Sequence, residues 1–595
     1  MSRTAKTILI VGGIFVAILM VAVIGIILIA DSLKGGSISD NSVLVLRIEG
    51  SIPDHSPRDP AAALFGIRRP ASFTDLITNI RKAKADKRIG AVLLDISMSD
   101  FGWGKADELR EAIKDLRASG KPVFAFTELG MNKEYYVASA AEKIYMPPTG
   151  DLYVNGFAAN AMFYRGSLDK LGVVPEVIQI GKYKNAPDQY TRKDMSEGQR
   201  EVINAILDHL YGRLVSTVAS ERKINEEKVK ELIDNAPYRA TKATELKLID
   251  GAKYRDEVYD ELKKRLGYKA DDDLRTVDSN QYTEIPASSL DLNNGARMAV
   301  IYASGAITSG GSSNSPFGGQ TTGSDTIVDA VEEAAKDDTI KAIVLRVDSP
   351  GGSALASDIM WHAIEKAKTK KPVVVSMGDY AASGGYYISC NANKIVAEPS
   401  VLTGSIGVFL GKPNIKGLYD WLGVSNEYVM RGKNAGLFRE TENWSDEERA
   451  KFQEQADGIY YTDFVPKVAK GRKLDAERVN ELGQGRVWTG TQAKERGLVD
   501  EIGGLEKAIE VARDLAKLPK TEQITRVALP RSPGLFEELF GGGASAQEKR
   551  EQEARIALAK SLPKEMREAF RVAEMFEKMG RGEAMLMMPF EVEIR

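Results

Sequence analysis

The sequence predicts an α/β fold built twice in tandem, and three observations carry that prediction. Short β-branched runs such as VLVLRI (43–48) and AVIY (299–302) alternate with longer helical patterns such as SDTIVDAVEEAAK (324–336). That alternation predicts mostly parallel strands joined by right-handed helical crossovers. The chain also matches itself at an offset of 249 to 251 residues: IGAVLLDIS (89–97) pairs with IKAIVLRVD (340–348), and YYVASAAEKI (135–144) with YYISCNANKI (386–395). ERKINEEKVKEL (221–232) likewise pairs with GRKLDAERVNEL (471–482), so the repeating unit is a whole domain and not a short solenoid module. Finally, glycine-rich turns stand where predicted strands end, the place where open α/β sheets carry their sites.

Taken in order, residues 1–31 are expected to be an N-terminal membrane anchor. The apolar run ILIVGGIFVAILMVAVIGIILIA (8–30) has no charge, and at about 1.5 Å per helical residue it reaches across a hydrocarbon core of about 30 Å. A cleaved signal peptide is the alternative, but Leu28 spoils the small-residue pattern before Ala30. Arg3 and Lys6 precede the run, which places the short N-terminus in the cytoplasm and the rest of the chain outside.

The first repeat is expected over 43–270 and the second over 297–520. Between them, 271–296 reads as a polar linker (ADDDLR, DSNQ, SSLDLNNG). TSGGSSNSPFGGQTTGS (308–324) reads as a surface loop within the second repeat. From 521 to 595 the internal similarity stops. After GGGAS (541–545), apolar residues at Leu562, Met566 and Phe570 predict a helical C-terminal extension.

Composition excludes several classes. The 595 residues carry a formal charge of -3, with no basic excess that would draw nucleic acid. A single cysteine, Cys390, leaves no disulfide framework and no cysteine-rich metal site. The three histidines, His55, His209 and His362, are isolated from one another and from any candidate nucleophile, which disfavours a Ser-His-Asp triad. No metal and no cofactor are expected.

The chemistry is concentrated in the second repeat. VVVSMGDYAASGGYYIS (373–389) reads as strand, tight turn and helix, with Ser383 at the helix start, where partial positive charge and free amides favour an anion. RVDSPGGSA (346–354) supplies a second glycine turn whose amides could complete an oxyanion hole with that of Gly384. Serine is also an ordinary helix cap and glycine an ordinary turn residue. The duplication provides the control. Ser383, Gly384 and Gly385 correspond to Asn132, Lys133 and Glu134, and PGG (350–352) to SDF (99–101). Glycines needed only to shape the fold would be expected in both copies. With no suitable histidine, the base that activates Ser383 is expected to be a lysine made neutral by burial.

Together with the N-terminal anchor and the tandem copies, GKYKNA (181–186), DSPGG (348–352), AASGGYYIS (381–389) and LTGSIGV (402–408) resemble the long, duplicated form of bacterial signal peptide peptidase A. The resemblance implies a Clp protease/crotonase-like fold and a homo-oligomeric dome, in the long form a tetramer. It also implies hydrolysis of hydrophobic peptides, chiefly remnant signal peptides, by a chain anchored in the bacterial inner membrane with its catalytic part in the periplasm. Carried over residue by residue, Ser383 is the nucleophile, Lys184 the general base, Ser405 the hydroxyl that orients that lysine, and Gly352 an oxyanion-hole donor. Lys184 belongs to the copy without the nucleophile, so a composite site between the copies is implied. Lys433 in RGKNAG (431–436) occupies the matching place in the second copy and is the alternative base. A crotonase-like acyl-CoA enzyme and a non-catalytic membrane scaffold are the rival readings.

Overall fold

A computed structural model describes residues 38–56, 71–269, 271–315, 319–531, 584–588 and 593–594. The expected anchor (8–30) and the helical stretch around Leu562, Met566 and Phe570 lie outside the described residues. Among the described residues no helix is long and apolar enough to cross a membrane.

Each repeat is built on a parallel sheet, closed in the second repeat by one antiparallel edge pair, Leu402–Gly404 with Val487–Thr489. In the first, the strands run in the order Gly251–Ala252, Lys143–Met146, Val123–Thr127, Ile89–Asp100, Ser42–Ser51, Thr276–Asp278. In the second, the main path is Val487–Thr489, Leu402–Gly404, Val373–Ala382, Ile340–Ser349, Ala296–Ser304, Ile524–Leu529. The central runs are buried on both faces because helices cover both sides: Val92, Leu93 and Leu94 in one repeat and Val344, Leu345 and Val347 in the other are fully enclosed. The helices that flank them carry their own start signals. Phe73–Ala85 opens on a capping box between Ser72 and Asp75, and Ala354–Lys368 on Ser353, whose side chain accepts from the Ala356 N–H.

Two edge strands come from outside the spans expected for the repeats. Thr276–Asp278, within the polar stretch read as a linker, pairs in parallel with Ser42–Ser51. Ile524–Leu529, beyond residue 520, pairs in parallel with Ala296–Ser304. Both are short or charge-bearing segments whose strand character comes from the neighbour they hydrogen-bond, a signal that local composition does not contain.

The repeats meet through buried charge. Arg346 of the second repeat is enclosed, with its guanidinium on Asp54 and Glu108 of the first. Burial opposes its charge, but the two carboxylates outweigh burial and hold its pKa well above the usual arginine value. Asp379, beside the end of the Ser383 strand, accepts from the backbone N–H of Gly102 (2.7 Å) and of Lys105 (2.8 Å), at the start of helix Trp103–Ala118.

A third sheet spans both repeats and carries the site. Strand Val174–Ile180, from the first half of the chain, pairs antiparallel with Val408–Asn414 of the second. On the other side of Val408–Asn414 lies a short strand from the C-terminal region, Met585–Met587, which also pairs with Gly351–Ser353.

Candidate active site

Ser383 sits where strand Val373–Ala382 turns into helix Gly384–Ser389. Its backbone is held at φ 53 and ψ -109, a conformation disfavoured for a residue with a Cβ. Two hydrogen bonds pin it there: the Ser383 N–H donates to the Gly404 carbonyl at 2.8 Å, and its own carbonyl accepts from Tyr387 N–H at 2.8 Å. In the first repeat the matching turn is relaxed, with Met131 at φ -85 in the capping position and Asn132 already helical. The strain is confined to the copy that has the hydroxyl.

Lys184 arrives from strand Val174–Ile180. Its register sets Ile180 opposite Val408, so the residues that follow Ile180 run past Gly407, Ile406 and Ser405. Lys184 Nζ lies 2.7 Å from Ser383 Oγ, 3.1 Å from Ser405 Oγ and 3.2 Å from the Ser405 carbonyl oxygen. The lysine is completely enclosed, and burial lowers its pKa well below the usual lysine value.

That contact set matches a neutral amine. An uncharged amine has two N–H donors and one lone pair. The two Ser405 oxygens take the donors, and the lone pair is left facing the Ser383 hydroxyl. A protonated amine would have three donors for the same three oxygens. The site therefore holds both protonation states without rearranging.

The glycine turn lies beside the serine. A Cβ on Gly384 would stand 2.7 Å from Ser357 Oγ and 3.2 Å from the Gly352 amide nitrogen, so any side chain there would push apart the two stretches that bring these amides together. This is the placement expected of paired donors aimed at one oxygen. The counterparts in the first repeat are plugged. Lys133 Nζ donates to the Ser99 carbonyl at 2.9 Å, and Glu134 accepts from Ser99 Oγ at 3.1 Å. Asn132 donates to the Gly156 carbonyl at 2.7 Å.

Lys433 is placed elsewhere. Its side chain is 75% exposed and its Nζ pairs with Glu447 at 2.8 Å. The histidines also serve other ends: His55 stacks on Tyr302, and burial lowers the pKa of His209 to about 4.

Sequence reasoning missed the segment Gly483–Arg486. Tyr183 N–H donates to the Gln484 carbonyl at 2.7 Å, Gly485 N–H to the Ile406 carbonyl at 2.7 Å, and Ser405 N–H to the Arg486 carbonyl at 2.7 Å. One short turn thus ties the lysine loop to the Ser405 turn. Gly485, at φ 76, admits no side chain, since a Cβ would stand 2.4 Å from the Lys184 amide nitrogen. The available signal was again the internal comparison: GQGR (483–486) stands opposite IDNA (233–236) in the first copy.

A serine on a strained backbone, its hydroxyl against a desolvated lysine, with neighbouring glycine amides and no histidine among its described partners, points to the class of serine hydrolases. Comparison with known proteins takes this to a family. The model of peptidase family S49 matches residues 115–269 and 365–519, one match in each repeat. The chain belongs to peptidase family S49 and is a serine protease. It is 35% identical to "Serine protease SPPA, chloroplastic" of Arabidopsis thaliana, across 85% of this chain and 74% of that protein. "Protease 4" of Salmonella typhi is 36% identical across 75% of this chain and 72% of that protein. "Protease 4" of Haemophilus influenzae is 30% identical across 85% and 84%.

Proposed function

We propose that Ser383 is the nucleophile and Lys184 the general base of a peptide hydrolase acting through an acyl-enzyme. Neutral Lys184 takes the Ser383 proton, Oγ attacks a peptide carbonyl, and the amides of Gly352 and Gly384 receive the developing oxyanion. Ser405 keeps the amine aimed. The observation that carries this reading is the 2.7 Å contact between Ser383 Oγ and an enclosed, carboxylate-free lysine whose other two neighbours are acceptors. Peptide hydrolysis by Ser383→Ala, Lys184→Ala and Lys433→Ala tests it. The first two are expected to be inactive and the third active. Retained activity in Lys184→Ala would overturn the base assignment.

The finer reading is that the substrates are hydrophobic peptides, chiefly signal peptides left in a bacterial inner membrane, handled from the periplasmic side by a chain anchored through residues 8–30. The uninterrupted apolar run at 8–30 supports it, as does the motif resemblance. Kinship with the Clp protease and crotonase folds belongs to the same reading.

A homo-oligomer, a tetramer by that resemblance, is favoured by one feature of the fold. At the repeat offset, residues 423–429 are the counterpart of strand Val174–Ile180, which pairs with Val408–Asn414. Those residues lie exposed with no strand partner among the described residues, and Val429 is 84% exposed. The equivalent partner edge in a next chain would cover them.

A further inference from the structure

The long helix of each repeat begins and ends alike, yet the second is one residue longer. Helix Glu197–Arg222 opens on Ser196, whose side chain accepts from the Gln199 N–H, and closes on Lys223 at φ 55. Its counterpart opens on Ser445, which accepts from the Glu448 N–H, and closes on Lys473, also at φ 55. The repeat offset is 249 at the serine and 250 at the lysine. In an α-helix the added residue would turn everything beyond it by about 100°. A π-helical turn, Gly458–Phe464, takes it up in place, so that Val465 and Val468 beyond it still face the core. The helix of the first copy runs unbroken.

The inserted turn presents Tyr460 to the segment Gly483–Arg486, which ties the lysine loop to Ser405. Tyr460 is fully buried, and its hydroxyl donates to Asn480 Oδ1 at 2.9 Å while accepting the Gln484 N–H at 3.2 Å. The Gln484 carbonyl in turn accepts the Tyr183 N–H at 2.7 Å, and the next residue, Gly485, lies against the Lys184 backbone. A continuous chain of bonds thus runs from Asn480 through the Tyr460 hydroxyl and Gln484 to the residue before the lysine. In the first copy the pieces differ. GQGR stands opposite IDNA, and Asn480 opposite Lys230, which pairs with Glu227 at the surface at 2.8 Å.

We propose that Tyr460 is a positioning residue for the reaction: its hydroxyl, delivered by the π-helical turn, fixes the Gly483–Arg486 segment that keeps Lys184 Nζ on Ser383 Oγ. The proposal rests on the roles given above to Ser383 and Lys184. A phenol suits the task, because it donates to one partner and accepts from another at the rim of a ring that packs in the core. The hydroxyl keeps its proton, since burial pushes its pKa up to about 12. Without it the Gln484 N–H loses its acceptor, and the segment is free to draw back from Lys184. Burial alone holds the lysine's pKa low, with no charged neighbour contributing. A looser enclosure therefore raises that pKa and leaves less neutral amine near pH 7.

Tyr460→Phe, which keeps the ring, tests this by steady-state peptide hydrolysis across pH beside the wild type, Lys184→Ala and Tyr461→Phe, with urea unfolding of each. In Tyr460→Phe, kcat is expected to fall about tenfold, inside the roughly 100-fold that an ångström of misplacement can cost. KM should stay near the wild-type value, and the acid limb of kcat/KM should move to higher pH. Tyr461→Phe, whose ring is half exposed, should match the wild type. A lower urea midpoint with kcat and acid limb unchanged overturns the proposal, because Tyr460 then serves the fold alone. A rise in KM alone overturns it too. Should Tyr460→Phe not fold, Asn480→Ala breaks the same chain of bonds at its far end, and an unchanged kcat and acid limb there overturn it. A Lys184→Ala that still hydrolyses peptide overturns the Ser383–Lys184 reading and this proposal together. An inactive Lys184→Ala beside an unchanged Tyr460→Phe overturns this proposal and leaves that reading intact.

Discussion

Replacing Ser405 with alanine removes one of the three oxygens around Lys184 Nζ and leaves the other two. The lost contact is 3.1 Å long, and the Ser405 carbonyl at 3.2 Å survives because it is backbone. In the resting state the contact is a neutral hydrogen bond worth about 1 kcal/mol, whereas after proton transfer it is a charge-assisted one worth about 1.5–3 kcal/mol. Only the difference between the two slows the chemical step, so kcat should fall by a barrier increment of about 0.5–2 kcal/mol, or about 2- to 30-fold. KM should change little, because Ser405 faces the lysine. Losing an acceptor that favours the charged amine should also lower the Lys184 pKa further, moving the acid limb of the pH–rate profile to lower pH. The assay is steady-state peptide hydrolysis across pH, with Ser405→Thr as the variant that keeps a hydroxyl. An unchanged kcat and pH profile would refute the argument, and a rise in KM alone would reassign Ser405 to substrate binding.

Three further predictions rest on other parts of the structure. Because burial lowers the Lys184 pKa well below the usual lysine value of about 10.4, the acid limb of kcat/KM should have its midpoint far below that value. Between the two values the unfolded chain binds the extra proton, so stability should rise with pH across that window; Lys184→Met should flatten the rise in urea-unfolding series at several pH values. Gly485→Ala should displace the lysine loop, since its Cβ would stand 2.4 Å from the Lys184 amide nitrogen, and peptide hydrolysis should fall by about 100-fold or more. Gly267→Ala, at a similar φ of 75 but with open space around it, should cost about 1 kcal/mol of stability and little activity. Arg346→Met strands Asp54 and Glu108 at the junction of the repeats and should destabilise the chain by about 3–5 kcal/mol in urea unfolding, whereas Arg346→Met with Asp54→Asn and Glu108→Gln should recover most of that loss.

The sequence by itself determined the α/β class, the duplication and the position of Ser383 at a strand-to-helix turn. All three are written in local pattern: period, turn residues, and a second copy against which a missing serine and missing glycines stand out. It also brought two lysines forward, Lys184 in GKYKNA as the expected base and Lys433 in RGKNAG as its alternative. The tertiary structure places the two differently, and the difference is a strand partner. Val174–Ile180 finds Val408–Asn414 and carries Lys184 into an enclosed place, while the segment leading to Lys433 has no such partner among the described residues and leaves it in solvent. The same holds for Thr276–Asp278, Ile524–Leu529 and Met585–Met587, whose pairings span more than 170 residues of sequence. Strand pairing joins backbone groups that every residue carries, so its register is decided by which edges meet in three dimensions. Composition along the chain does not encode that meeting, and here it is what brings a lysine to Ser383.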